Sequence, residues 1–224
     1  MEKKKFGIWK ILLIILILLL ILGIVLLIRP IKNFNIIKDL QEKMTTHVNS
    51  TNYHIKSVQK ELNGVITTQD YYHKDNKRGL FTETNDSGEI SKLLLYNNGE
   101  RTDMFVETSG EKTVKLDTGM PINMPLYNGL EMNNKWQTFL TCFSAEIEEI
   151  EYDGKSCYSI KGVFSPDVMY GVEENGSYIE KDTGLEIFHL MDGVETKKMY
   201  EFDNVEDSIF VEPNIGEYKL IRKE

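Results

Sequence analysis

Hydrophobic and polar positions divide the chain into one long apolar block near the N-terminus and a body of short alternating runs. Residues 11–28 contain no charged side chain. As a helix this block is about 27 Å long, close to the hydrocarbon thickness of a bilayer. It predicts a transmembrane anchor over residues 8–29, with a tail over 1–7 before it and one domain over 31–224 after it. Pro30 is expected to end the helix, because proline lacks the N–H that continues an α-helix.

The anchor is predicted to remain in the mature protein. A cleaved signal peptide has a shorter apolar region and small residues at its cleavage site, and the sequence after residue 28 offers neither. Four lysines precede the apolar block, whereas one arginine and one lysine follow it closely. The positive-inside rule therefore predicts a single-pass protein of the cell membrane, with the N-terminus cytoplasmic and the C-terminal domain extracellular.

The first segment of the body, residues 33–48, is predicted to be a helix that stands directly on the anchor. Asn33 is suited to its N-cap position. Apolar residues recur at the three- and four-residue spacing of one helical face. They are Phe34, Ile37, Leu40, Met44 and Val48.

From residue 52 the pattern changes to short runs separated by turn residues, which predicts six antiparallel strands in a meander. Asn63-Gly64 lies between two such runs and is a strong hairpin signal. Residues 120–134 contain two prolines and predict a loop, and residues 134–143 predict a second helix. About five strands follow, with a further hairpin at Asp153-Gly154.

Two helices are too few for alternating strand–helix units, but they suffice to cover one face of a long sheet. The predicted fold is therefore mainly β, of the α+β class. An N-terminal transmembrane helix precedes one curved antiparallel half-barrel of about eleven strands, into which the helices plug.

The body is acidic. Residues 31–224 hold 21 basic and 34 acidic side chains, a net charge of −13. A chain without a basic stripe is a poor match for nucleic acid, so we expect no nucleic-acid partner. Cys142 and Cys157 are either a disulfide, which an extracytoplasmic location permits, or two buried small apolar residues; both alternatives stay open.

Asp-Thr-Gly occurs twice, at residues 117–119 and 182–184. Paired carboxylates of this kind share a proton in aspartic proteases. The two triplets are too close for a two-lobed protease, however, and Lys181 stands directly before the second one. Between strands, Asp and Gly are ordinary turn residues, and we favour that interpretation.

No other pattern points to catalysis or to a cofactor. The four histidines lack metal-ligand spacing, and no nucleophile motif or phosphate-binding glycine loop is present. The acidic run at residues 146–153 matches no calcium-loop spacing and is interpreted as a solvated face. We therefore expect neither an enzyme nor a metal site.

The loop and the second helix supply the candidate ligand-binding residues. Methionine is soft and adaptable, and aromatic side chains on one helical face could complete an apolar site between plug and sheet. The candidates are Met120, Met124 and Leu126 on the loop and Trp136, Phe139, Leu140 and Phe143 on the helix. The alternative is that these side chains form a closed core.

The stretch "YIEKDTGL" at residues 178–185, together with the order of helix, meander, plug and further strands over residues 34–220, resembles the bacterial lipoprotein-carrier (LolA/LolB-like) superfamily. The likeness is greatest to its membrane-anchored Gram-positive relatives. The resemblance implies a half-open barrel that holds acyl chains around its helices, and it implies binding rather than catalysis. This chain has a transmembrane anchor in place of a lipid-attachment cysteine, so a carrier that moves between membranes is not expected.

These observations predict a membrane-tethered extracytoplasmic binding domain for an apolar ligand, either a lipid or an acylated or peptide segment. The alternative is a structural or regulatory subunit of a cell-envelope complex that acts through protein contacts. The expected partners are the membrane, through residues 8–29, and either a lipid or lipoprotein ligand or an envelope protein.

Overall fold

The computed structural model describes residues 5–126, 130, 135–162 and 176–221. Its first element is one continuous helix, α1, over Lys5–Val48. The apolar block and the predicted body helix are therefore a single rod of 44 residues, about 66 Å long. Its N-terminal part is exposed, and it is long and apolar enough to cross a membrane.

The expectation that Pro30 ends the anchor helix is wrong, because Pro30 lies buried inside α1. An interior proline costs about 3 kcal/mol. Beyond it, Ile37 and Leu40 are fully buried against the domain, and burial of such a side chain contributes roughly 1.5–3 kcal/mol each. This packing offsets the proline and continues the helix. Asn33 is consequently an interior residue of α1 and not the predicted N-cap.

In the described part of the chain, twelve strands, a second α-helix and two short 3₁₀ helices follow α1; the 3₁₀ helices are Asp207–Phe210 and Ile215–Glu217. The predicted meander is present as β1 Asn52–Lys60, β2 Ile66–Lys74, β3 Lys77–Asp86, β4 Glu89–Asn97, β5 Thr102–Thr108 and β6 Glu111–Lys115. The predicted second helix is α2, Lys135–Ser144. The remaining strands are β7 Glu146–Tyr152, β8 Lys155–Lys161, β9 Gly176–Glu180, β10 Glu186–Met191, β11 Val194–Phe202 and β12 Lys219–Leu220.

All twelve strands belong to one open, curved sheet in the order β12-β6-β5-β4-β3-β2-β1-β11-β10-β9-β8-β7. The two halves of the chain meet where β1 pairs with β11. Neighbouring strands are antiparallel, except that β12 lies parallel to β6 at one edge. The predicted mainly-β half-barrel with an N-terminal helix is confirmed, with twelve strands in place of about eleven.

The predicted hairpins have the local chemistry expected of them. Asp153 and Gly154 both have positive φ, 53° and 74°, and join Tyr152 to Lys155 across a two-residue turn. This is the type I′ geometry that matches strand twist. The Asn63-Gly64 hairpin is longer, and the Asn63 side chain accepts a hydrogen bond from the backbone N–H of Val65.

The sheet uses both of its faces. On one, which we call the helix face, Ile55 and Tyr71 lie opposite each other on β1 and β2, and Leu95 lies in the same cross-strand row on β4. All three pack with Met44 of α1. On the other, the outer face, Phe105 packs with residues of the C-terminal segment 203–221, which we call the tail. The helix and the tail therefore cover different parts of opposite faces.

Candidate functional site

Helix α1 is held to the end of α2 by side-chain hydrogen bonds. The Asn33 side-chain amide donates to the backbone carbonyls of Cys142, at 2.9 Å, and Ala145, at 2.8 Å. Arg29 donates to the same Ala145 carbonyl at 3.0 Å. The last carbonyls of a helix have no intrahelical donor, so α1 supplies donors that α2 lacks.

Two more side chains of α1 hold it further along the domain. Gln41 donates to the carbonyl of Leu130 at 2.5 Å, and Lys43 donates to the carbonyl of Lys181 at 2.7 Å. Together with Arg29 and Asn33, they fix the helix at three separate segments of the domain. The apolar N-terminal part of α1 is therefore continuous with a helix segment that is held on the domain at residues 29–43.

Asn33→Ala is expected to lower the free energy of unfolding by about 1–3 kcal/mol, because it leaves the buried Cys142 carbonyl without its side-chain donor and the Ala145 carbonyl with Arg29 alone. The matched control is Asn35→Ala, since Asn35 lies two residues further along α1 and is exposed. Urea unfolding of the full chain in detergent micelles measures both. Equal stabilities for the two variants would contradict the role given to Asn33.

Each Asp-Thr-Gly triplet lies in a connection that follows a strand. The first is held on the sheet, since the Asp117 N–H donates to Asp103 at 2.8 Å and the Thr118 N–H donates to the Thr102 carbonyl at 2.7 Å. The second triplet contacts α1, because Gly184 lies against the backbone of the helix at Leu40. The turn interpretation of both triplets matches this placement.

The helix face becomes polar away from α1. Four strand positions from Ile55, Tyr71 and Leu95 along their strands, one cross-strand row over β11 and β1 to β5 consists of uncharged hydroxyl and amide side chains. Its members are Thr196, Gln59, Thr67, Thr84, Ser91 and Thr108. This row is not the surface that an acyl chain requires, since apolar ligands bind to predominantly apolar linings.

An ion cluster lies between β9, β10 and β11. The Glu186 carboxylate is 4% exposed and accepts hydrogen bonds from Lys198 Nζ at 2.5 Å and Ser177 Oγ at 2.7 Å. His189 Nδ1 lies 3.1 Å from the same carboxylate. The backbone carbonyl of Glu186 also accepts the Tyr200 hydroxyl at 2.9 Å.

The Ser177–His189–Glu186 arrangement differs from a catalytic triad. Both Ser177 and Glu186 contact the same ring atom, Nδ1 of His189, so the imidazole does not connect the hydroxyl to the carboxylate. Burial raises the pKa of Glu186, but the hydrogen bonds and charge of His189, Lys198 and Ser177 outweigh it and lower the pKa to about 2. The cluster is therefore a buried carboxylate held in its charged form.

A groove of about 390 Å³ lies on the outer face, on the other side of the sheet from α1. Its floor is an apolar cross-strand row, Phe81, Leu94 and Phe105. Tyr218 of the tail contacts Phe105 edge to face, with 5.1 Å between ring centroids. The floor therefore combines residues from three strands and the tail.

A charged row runs beside this floor. Glu83, Lys92 and Glu107 lie opposite one another on β3, β4 and β5 and line the groove. Lys92 lies 3.5 Å from Glu83, and both side chains are exposed. Such a pair contributes little in water, so it leaves both charges available to a ligand.

One end of the groove is formed by Asp70, which His54 holds in place. His54 Nε2 lies 2.8 Å from Asp70, and Nδ1 lies 3.3 Å from Glu201. The imidazole stacks on Tyr72 with 4.3 Å between centroids, and Tyr72 contacts Phe81 edge to face. A chain of contacts from Phe81 in the groove floor through Tyr72 to His54 therefore orients the Asp70 carboxylate.

The predicted ligand-binding residues of the loop lie in different environments. Leu126 is buried in the core under α1, and Met124 packs against that core, where its carbonyl faces the Tyr53 hydroxyl at 3.4 Å. Met120 is exposed. The structure thus uses two of the three loop residues to close the helix-face core, and a ligand-binding role for them stays a prediction.

The predicted residues of α2 are also separated. Leu140 is half-buried and Phe143 is 48% exposed. Trp136 and Phe139 belong to α2, but their side chains lie outside the described part of the structure. Within the described residues, α2 therefore presents no continuous apolar lining, and its role in binding also stays a prediction.

Cys142 and Cys157 are both buried free thiols in the structure. Cys142 packs with α1, whereas the Cys157 thiol on β8 donates to the carbonyl of Lys155. Burial raises the pKa of both thiols, which keeps them protonated and unreactive. Of the two alternatives, the structure shows buried small residues rather than a disulfide.

Among the described residues, no group of three or more histidine, cysteine, aspartate or glutamate side chains is placed to hold a metal ion. The outer-face groove was not found by sequence reasoning. Its signal was the position of Phe81 two residues before Glu83 and of Phe105 two residues before Glu107, which places an apolar and an acidic side chain on one face of each strand.

Comparisons with known proteins give no family. No family model matches the chain, and no curated protein matches it. Among solved structures, a crystal structure of MucB in complex with MucA(peri) is similar at 15% identity and a TM-score of 0.34, over 74% of this chain and 55% of that chain. The chain thus spans about half the length of that protein, and at this level the likeness supports no conclusion.

Proposed function

We propose that the protein is a non-catalytic, single-pass membrane subunit that acts through contacts with a protein partner. The observation that carries the proposal is the continuity of α1 from the apolar block into the domain core. In this proposal the N-terminus is cytoplasmic and the sheet lies outside the membrane. It corresponds to a structural or regulatory subunit of a cell-envelope complex.

A fixed domain suits recognition in the plane of a membrane. A partner anchored in the same bilayer meets a sheet of constant height and orientation, so less rotational freedom is lost on binding. The hydrogen bonds from Asn33 and Lys43 of α1 to backbone carbonyls support this rigidity. A carrier that collects and delivers cargo would instead benefit from a flexible tether.

Lipid binding is the second candidate, and the resemblance to the lipoprotein-carrier superfamily remains a prediction. Its support is the half-barrel architecture itself. Against it, the apolar part of the helix face is packed against α1, and the row from Thr196 to Thr108 is polar. A lipid would have to displace residues such as Met44 and Leu126 from the core.

Native mass spectrometry of the full chain, extracted from its own membranes with detergent, tests the proposal. We expect the chain to retain a second protein after mild chemical cross-linking. A chain that carries a discrete lipid mass and no protein would overturn the proposal in favour of the lipid candidate.

The importance of a fixed orientation is tested by two insertions between Ile28 and Arg29. Seven inserted alanines add about two helical turns, so the domain keeps nearly the same orientation about the helix axis. Seven glycine and serine residues instead form a flexible linker, which does not fix that orientation. Both insertions raise the domain by comparable amounts. We expect the alanine variant to retain several times more cross-linked partner, and equal retention would contradict a role for orientation.

A further inference from the structure

We propose that the outer-face groove binds an extended segment of the partner protein in which bulky apolar side chains alternate with lysine or arginine. This inference rests on the proposed function, because it describes the partner segment by its chemistry. It is carried by two neighbouring rows of side chains on one face of the sheet. One is apolar and ends at Asp70, and in the other Glu83 and Glu107 stand on either side of Lys92.

The apolar row is accessible and aromatic. Phe81, Leu94 and Tyr218 are half-buried, and Phe105 lies buried beneath them. Half-buried apolar side chains on a sheet surface gain by being covered, and aromatic rings supply much contact area with little loss of side-chain freedom. The tail covers the neighbouring part of the same face through Phe210 and leaves this part open.

The length of the groove fits a short extended segment. It runs from β2 to β5, which is three strand spacings or about 14 Å. About four extended residues cover that distance, since each one advances about 3.3 Å. Alternate side chains of such a segment point the same way, so every second one faces the floor.

The charges along the groove favour a cationic segment. Asp70, Glu83 and Glu107 line it together with a single lysine, Lys92. Lys112, which lies opposite Glu107 on β6, is 3.9 Å from Glu217 and lies over the Tyr218 ring. The lining carries a net charge of −2 on a body that is itself acidic, and lysine or arginine of the partner would complement both.

The test measures peptide binding to the full chain in nanodiscs of zwitterionic lipid. The probe is a dye-labelled peptide of alternating lysine and phenylalanine, and fluorescence anisotropy reports its affinity. We expect saturable binding that weakens as salt is raised. Replacing the lysines of the probe by glutamate, or its phenylalanines by serine, is expected to weaken binding about tenfold or more.

Matched charge reversals locate the site. Glu107→Lys changes the groove, whereas Glu195→Lys makes the same change of net charge at an exposed position on β11. We expect about tenfold weaker binding for Glu107→Lys and less than a twofold change for Glu195→Lys. Equal weakening by both variants, or no saturable binding to the unaltered chain, would overturn the groove proposal.

Leu94→Ala supplies a second test that is independent of charge. It removes part of the floor while leaving β4 and its pairing in place, and circular dichroism verifies the fold. We expect about fivefold weaker binding. Unchanged affinity in a folded Leu94→Ala chain would also overturn the proposal.

Failure of this inference is distinguishable from failure of the proposed function. If the full chain cross-links to a protein partner in its membranes but Glu107→Lys leaves that cross-linking unchanged, the subunit function stands and the groove is not its contact surface. If no partner is retained and the peptide does not bind, both proposals fail together.

Discussion

Gly184→Ala is expected to separate α1 from the sheet and to lower the free energy of unfolding by about 3–5 kcal/mol. Gly184 has a φ of +70°, in the left-handed region. A Cβ atom there would lie 2.1 Å from the carbonyl oxygen of Leu40 and 2.8 Å from the backbone nitrogen of Met44. Both atoms belong to the α1 backbone, so the clash is relieved only if the helix moves away from the turn.

The chain contains a matched control in its other Asp-Thr-Gly triplet. Gly119 has a φ of +66°, and a Cβ atom added there would meet nothing within 4 Å. Gly119→Ala therefore isolates the backbone strain of a left-handed alanine, about 1–2 kcal/mol. The difference between the two variants measures how closely α1 docks on the turn.

Thermal and urea unfolding of the full chain in micelles give both values. Hydrogen exchange at the amides of residues 37–44 provides a local measurement, because loss of docking exposes this part of α1 while the sheet remains paired. If Gly184→Ala destabilises the chain no more than Gly119→Ala, then α1 does not dock on the turn as closely as described.

Glu186→Gln is expected to lower the free energy of unfolding at pH 7 by about 3 kcal/mol. This loss corresponds to the lowered pKa of Glu186, about 2 against an ordinary value of 4.5, since each pKa unit corresponds to about 1.4 kcal/mol. The substitution removes the charge that Lys198 neutralises and leaves this half-buried ammonium without its carboxylate.

The same group predicts a pH dependence with a definite sign. A carboxylate with a lowered pKa in the folded state stabilises that state fully above about pH 4.5, its unfolded value, and loses the contribution as the pH falls toward 2. The stability difference between the unaltered chain and Glu186→Gln should therefore be largest above pH 4.5 and should shrink toward pH 2.

Glu195→Gln on β11 is the control for this experiment, because Glu195 is exposed on the same strand as Lys198. We expect a change below about 0.5 kcal/mol there. A Glu186→Gln chain whose unfolding free energy stays parallel to that of the unaltered chain from pH 6 to pH 2 would show that Glu186 is not held in its charged form.

The elements of this fold were predictable where their causes are local. Asp153-Gly154 marks its hairpin because both residues tolerate positive φ, and the meander follows from alternation within each strand. Pro30 was misinterpreted because its penalty is local, while the packing of Ile37 and Leu40 that offsets it comes from strands far along the chain. Asn33 was misinterpreted for the same reason, since its partners lie more than one hundred residues away.

The candidate site was less predictable than the fold. The groove exists only once β2 to β5 are in register and Tyr218 returns from the tail to contact Phe105. Along the sequence, Leu94 and Lys92 are two positions of an ordinary amphipathic strand. The predicted loop site has a visible sequence signal, but that signal fits two structures. Apolar residues such as Leu126 and Met124 are as suitable for a core as for a ligand site.

The edge strand β7 has a consequence for copies that share a membrane. If α1 crosses a membrane as proposed, every copy is confined to two dimensions at one height, so exposed sheet edges meet repeatedly, and an unpaired edge strand is a template for pairing. Glu148 and Glu151 are exposed on β7, beside Glu146 and Glu149, whose neighbours are Arg29 and Lys181. Two β7 edges brought together would oppose glutamate with glutamate, which disfavours the pairing of two copies through β7.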